Sequence, residues 1–123
     1  MASELRVNTL KDAAGNNSIA TSFVANGSAK MYAERTDAAT PATTSSFNVA
    51  SLTDRGTGDT GYNLTSAMTN DDGPVAGANS TTSGDLGIFG RFETASQVRS
   101  LTRNTSAADV DKRVSVVGYG DLA

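Results

Sequence analysis

The stretch from Ser46 to Leu64 constrains the fold of this chain more than any other. Phe47 and Val49 alternate with Asn48 and Ala50; after a Gly/Asp-rich turn, Tyr62, Leu64 and Met68 alternate with Asn63 and Thr65. Period-two alternation on both sides of a turn cluster is the pattern of a β-hairpin with one buried face. The turn itself, Gly56-Thr57-Gly58-Asp59-Thr60-Gly61, also spells G-x-G-x-x-G. In a dinucleotide site, that motif opens a helix whose N-terminus holds the pyrophosphate. Here the residues that follow alternate every two positions instead of every three or four. The glycines therefore read as a hairpin loop, and no cofactor is expected.

The rest of the chain repeats this texture. Short apolar runs recur with turns between them: Lys30 to Arg35, Val75 to Asn79, Leu86 to Phe92, Gln97 to Leu101, and Arg113 to Tyr119. In the third of these runs Leu86, Ile88, Gly90 and Phe92 share one face, with Phe89 and Arg91 on the other. The last run is rich in β-branched residues, which fit a pleated surface. Asn70-Asp71-Asp72-Gly73-Pro74 is a turn. A single helical turn is expected around Ala107 to Asp111, because Ser106 to Asp109 has capping-box spacing. Several short strands at this spacing predict an all-β fold, a small antiparallel β-sandwich or jelly roll.

Residues 1–27 differ. Leu5, Val7, Leu10, Ile19 and Phe23 are scattered among polar and turn-forming residues, too sparsely to bury one another. A segment like this gains order only by lying on another surface. We read 1–27 as an extended N-terminal anchoring arm whose partner contacts are Leu5, Val7, Leu10, Ile19 and Phe23, and 28–123 as the sandwich domain.

Composition removes whole classes of chemistry. The 123 residues include no Cys and no His, so disulfides, thiolate metal sites and His-dependent acid–base or nucleophilic catalysis are excluded. Net charge is −3 with no basic run, which argues against a nucleic-acid partner. No stretch is long and apolar enough to span a bilayer, so no membrane insertion is expected, and no secretory h-region follows the N-terminus.

The order Gly27-Ser28-Ala29-Lys30, Ser46 to Asp54, and Gly56-Thr57-Gly58-Asp59 resembles the small tail-fibre-like virion proteins of tailed bacteriophages, of the marine and cyanobacterial phage type. Ser3 to Asp12 and Gly15 to Ser18 are similar to the N-terminal segment of those proteins. The resemblance covers the arm and the first hairpin, and the C-terminal half in outline. It implies a β-rich virion component assembled as a homotrimer. Residues and resemblance together predict a non-enzymatic structural protein located in the virion. As a tail-fibre-like appendage subunit it would dock through its arm and contribute to host attachment. The alternative is a capsid decoration (cement) protein or short head fibre that stabilises the phage head. Expected partners are further copies of the chain, other tail or capsid proteins, and a host surface receptor.

The remaining candidates have plain readings. Asp54, Asp59, Asp71 and Asp72 could ligate calcium, but Asp is also the residue that caps its own loops, and EF-hand spacing is absent. Glu4, Glu34 and Glu93 are the only glutamates, and Trp, a common sugar platform, is missing, so paired-carboxylate glycoside hydrolysis is not expected. Asn16, Asn26, Asn63, Asn79 and Asn104 start N-x-Ser/Thr sequons that such a composition produces by chance. Tyr32, Tyr62, Tyr119, Phe89 and Phe92 read as core or interface residues, and Arg91, Arg99 and Arg103 as an outward stripe. Catalytic, cofactor-binding and metal-binding residues: none.

Overall fold

The computed structural model describes residues 3–16, 18–79 and 86–123. Outside them lie the first two residues of the arm, Asn17 of the N-terminal match, and Ser80 and Thr81 of the Asn79 sequon.

Strands β1 (Thr9–Lys11) and β2 (Ser18–Ala20) form a small antiparallel hairpin, followed by helix α1 (Thr21–Gly27). The body then runs β3 (Met31–Arg35), β4 (Thr43–Phe47), β5 (Val49–Gly56), β6 (Asp59–Leu64), β7 (Val75–Asn79), β8 (Leu86–Thr94), β9 (Gln97–Asn104) and β10 (Val114–Gly118). These strands build two four-stranded antiparallel sheets, in the orders β4-β3-β10-β7 and β5-β6-β9-β8. At both edges, corresponding places in the two orders are held by strands adjacent in sequence. The chain thus passes from one sheet to the other at both edges, β4 to β5 and β7 to β8.

One apolar cluster lies between the sheets. Met31 and Ala33 come from β3, Val114 and Val116 from β10, Tyr62 and Leu64 from β6, Val98 from β9 and Phe92 from β8, with Met68 at one end. The protein is therefore an all-β antiparallel sandwich. Alternation explains the assignment: β10 buries every second residue, and so does β9 from Val98 to Thr102.

The edge crossing at Asn48 corrects the first hairpin as read from sequence. Phe47 and Val49 are not on one face of one strand. Asn48 adopts φ 56° and turns the chain out of the first sheet. Phe47 is left exposed at the end of β4, and Val49 begins β5 half-buried. Asn tolerates this left-handed conformation better than most residues. Its amide nitrogen donates to the carbonyls of Lys30 and Ser66, both at 3.0 Å, and its amide oxygen accepts from the Ser66 N–H at 2.7 Å. The expected helical turn at Ala107 is also absent. Asn104 Oδ1 accepts the N–H groups of Ser106 and Ala108, so the side chain organises a loop with Ala107 at φ 59°. Conversely, α1 lies in the arm, where no helix was expected. It has no side-chain N-cap and buries no residue.

The far end of the interior is polar. Arg35 is 1% exposed, among Thr60, Ser100 and Thr102, all buried. Its guanidinium donates to Thr102 Oγ1 at 3.2 Å, and its charge is met by Asp111 at 3.8 Å. Asp111 Oδ1 also accepts the Gly58 N–H at 2.8 Å, binding the β5–β6 turn to the segment before β10. Gly58 is required there. With φ +72°, a Cβ would lie 2.7 Å from the Thr102 carbonyl oxygen and 2.8 Å from that of Val110. Nearby, Tyr62 Oη and Ser100 Oγ share a hydrogen bond of 3.1 Å. Burial pushes the Tyr62 phenol up, partly offset by that bond and by the Arg35 charge, so the hydroxyl stays protonated at ordinary pH.

Two stability results are expected. Asp111→Asn keeps an acceptor for Gly58 but leaves Arg35 without its counter-charge, and should cost about 2 kcal/mol in urea unfolding. Arg35→Met removes the buried charge itself and should stay within about 1 kcal/mol of the parent, alone or combined with Asp111→Asn. Asn48→Ala should cost about 2–4 kcal/mol through lost hydrogen bonds and strain at φ 56°, measurable by the same titration.

Candidate functional site

Three surfaces remain once the interior is accounted for: the outer face of each sheet and the arm. On the β5-β6-β9-β8 sheet, alternation sends Arg99, Leu101 and Arg103 outward from β9, and Phe89, Arg91 and Glu93 outward from β8. Arg91 and Arg99 are directly opposite one another, a like-charge pairing that costs stability unless an anion intervenes. Glu93 intervenes: it accepts from Arg91 at 2.7 Å and lies 3.7 Å from Arg99 and 3.6 Å from Arg55. Arg99 donates to both Asp59 oxygens, at 2.8 and 2.5 Å.

The network continues across the sheet. Arg55 donates to Gln97, Gln97 donates to Asn63 at 2.5 Å, and Asn63 donates to Ser51 and Thr53 at 3.0 Å each. These side chains pass over Gly61, where a Cβ would come within 3.1 Å of the Gln97 side chain. The G-x-G-x-x-G glycines thus serve a tight turn and a closely covered strand. Hydrogen bonding from Arg91, with the charges of Arg91, Arg55 and Arg99, holds the Glu93 carboxyl below its ordinary value despite some opposing desolvation. The Asp59 hydrogen bond, chiefly, pushes Arg99 higher still. Chemically this face is a self-neutralising ion-pair platform. Its shallow cleft, lined by Phe89, Gly90, Arg91, Arg99 and Leu101, contains no nucleophile or general base.

The outer face of the other sheet is different. Phe47, Tyr32, Val117 and Ala76 occupy one rung across all four strands, paired as Tyr32 with Phe47, Val117 with Tyr32, and Val117 with Ala76. Tyr32 and Phe47 stack with ring centroids 6.1 Å apart, yet remain 43% and 54% exposed. Beside them, Glu34 pairs with Arg113 at 3.5 Å.

Among the described residues, the two most exposed large apolar side chains lie in the arm. Leu5 is 79% exposed and Phe23 72%, and Val7, Leu10, Ile19 and Val24 are exposed as well. Leu10 and Ile19 are directly opposite in the β1–β2 hairpin, so both project from one side of it. The hairpin and helix are tied locally, by Thr21 N–H to the Asn8 carbonyl at 3.0 Å and by the Lys30 ammonium on the Ser28 and Ala25 carbonyls. Cationic capping of this kind suits a helix C-terminus. No protein-family model, curated protein or solved structure matches the chain. Its surfaces must therefore be interpreted from their own chemistry.

The candidate residues distribute accordingly. All five proposed arm contacts are exposed in the arm. Asp54 accepts its own loop's Gly56 N–H at 2.9 Å, and Asp59 holds Arg99. Among the described residues, no three Asp or Glu side chains group as a metal site. Glu4, Glu34 and Glu93 lie in separate ion pairs, with Arg6, Arg113 and the arginine platform. Tyr62 and Phe92 are core, whereas Tyr32 and Phe89 are surface residues. Two features escaped sequence reading: buried Arg35 and the Tyr32–Phe47 row. The signal for the row was the period-two spacing of Tyr32 and Glu34 against inward Met31, Ala33 and Arg35.

Glu93→Gln should flatten the acid limb of the stability curve. A carboxyl held below its ordinary 4.5 contributes stability that is present above that value and lost as pH falls through the lower folded value. Thermal melts from pH 6 to 3 should show the parent losing more of its Tm than the variant does.

Proposed function

We propose that this chain is a non-enzymatic structural protein of a tailed-bacteriophage virion, a tail-fibre-like appendage subunit docked through its N-terminal arm. The observation that carries the reading is the contrast within one chain. The body closes its own core, while the arm displays Leu5, Val7, Leu10, Ile19, Phe23 and Val24 uncovered. Exposed apolar side chains concentrated on one segment mark a surface used for protein contact. The self-neutralised outer platform and the absence of His and Cys support a role in architecture over chemistry. The phage resemblance supplies the setting, and a homotrimer is the assembly it favours.

The test compares the full chain with a variant lacking residues 1–27. The truncated body should retain a cooperative melt with Tm within a few degrees of the parent, and should no longer incorporate into particles. Quantitative mass spectrometry of purified virions should find a handful of copies per particle. Hundreds of copies would move the protein to the capsid as a decoration protein, and none would overturn the virion assignment.

A further inference from the structure

We infer that the apolar row Phe47–Tyr32–Val117–Ala76 is the seat for the N-terminal arm of a second copy of this chain. The inference rests on the structural-component reading only for the premise that the arm docks on protein. The row crosses all four strands of its sheet. It is continuous at one end with a notch lined by Lys30, Phe47, Asn48, Thr65, Ser66 and Leu122, where Leu122 is 47% exposed.

Three observations select the arm of another copy as occupant. Each chain carries both an uncovered apolar segment and an uncovered apolar row, so one arm-on-row contact covers both; row against row would leave every arm bare. The arm is long enough: residues 3–27 fall within the roughly 20–30 residues that one side of a standard interface contributes. The charges allow it too, because Glu4 is already paired with Arg6 in the arm and Glu34 with Arg113 beside the row. Neither side buries an unpaired one of these charges on contact. A contact in which each copy gives an arm and receives one is satisfied by two copies exchanging arms, or head-to-tail by a ring when the rotation permits. Three copies would satisfy it.

The absence of cysteine makes the test clean. Ile19→Cys and Ala76→Cys are exposed positions, prepared in separate full-length chains, mixed and oxidised. A disulfide-linked two-chain product formed chiefly in the mixture, and weakly by either variant alone, is expected. A product formed mainly by Ala76→Cys alone would overturn the proposal in favour of row-on-row contact. In sedimentation, the triple variant Leu10→Ser/Ile19→Ser/Phe23→Ser and the double variant Tyr32→Ser/Phe47→Ser should each self-associate at least 100-fold more weakly than the parent. Mixing them should restore a two-chain species, since one retains the row and the other the arm. Circular dichroism melts confirm that both variants fold. Self-association that survives the arm variant, or a parent chain that is monomeric at 100 μM, would overturn the proposal. Particle incorporation retained in either variant would do so too, while leaving the virion role intact.

Discussion

A guanidinium enclosed between two small sheets governs much of this structure. Arg35 stands at the end of β3, opposite Val114, with little water to solvate it. The interior around it must therefore be polar, and it is: β6 and β9 turn Thr60, Ser100 and Thr102 inward where aliphatic residues would otherwise sit. Compensation is incomplete, since Arg35 Nε and Thr60 Oγ1 have no hydrogen-bond partner. Asp111 closes the arrangement by facing Arg35 and gripping the Gly58 N–H, so the turn between β5 and β6 is fixed from the opposite side of the sandwich. A buried ion pair of this sort is weak evidence for stability. Its effect is to fix which loop meets which strand.

That polar end explains what the sequence revealed and what it concealed. Strands were legible where apolar and polar residues alternate, as in Val114 to Gly118 and in Leu86 to Phe92. In β9 the inward residues are Val98, Ser100 and Thr102 while Leu101 faces out, so hydrophobicity alone picks the wrong partner for Val98. Arg35 ends an alternating run and looks like a solvated strand terminus. Only the sheet opposite it makes it interior. Asn48 was hidden for a related reason. Alternation continues unbroken through Phe47 and Val49, but a left-handed residue between them changes which sheet each belongs to. The arm was legible as a segment unable to cover itself, and its local hairpin and helix were not, because they depend on backbone ties to Asn8 and on Lys30.

The two outer faces divide the protein's surface chemistry. One is an ion-pair lattice in which three arginines share Glu93, with Phe89 exposed beside it. The other presents stacked aromatics on a polar Ser/Thr background. Because the two faces differ in chemistry, a neighbour would be restricted in the orientations it could take. That directional restriction is what a repeating assembly needs, and it follows from strand alternation rather than from any dedicated interaction domain.

The place where the arm joins the body sets how the protein bears mechanical load. The Lys30 N–H donates to the Gly118 carbonyl at 2.9 Å, and Met31 is paired with Gly118 at the same end of the β3–β10 ladder. Chain entering β3 and chain leaving β10 thus lie side by side. Tension between the arm and the segment after β10 would peel this ladder from the Met31 rung, breaking hydrogen bonds in succession rather than shearing all of them together. Force directed from the arm into a broad sheet face spreads over the whole sandwich. A chain of this design would bear pressure on its sheet faces better than tension applied from both ends.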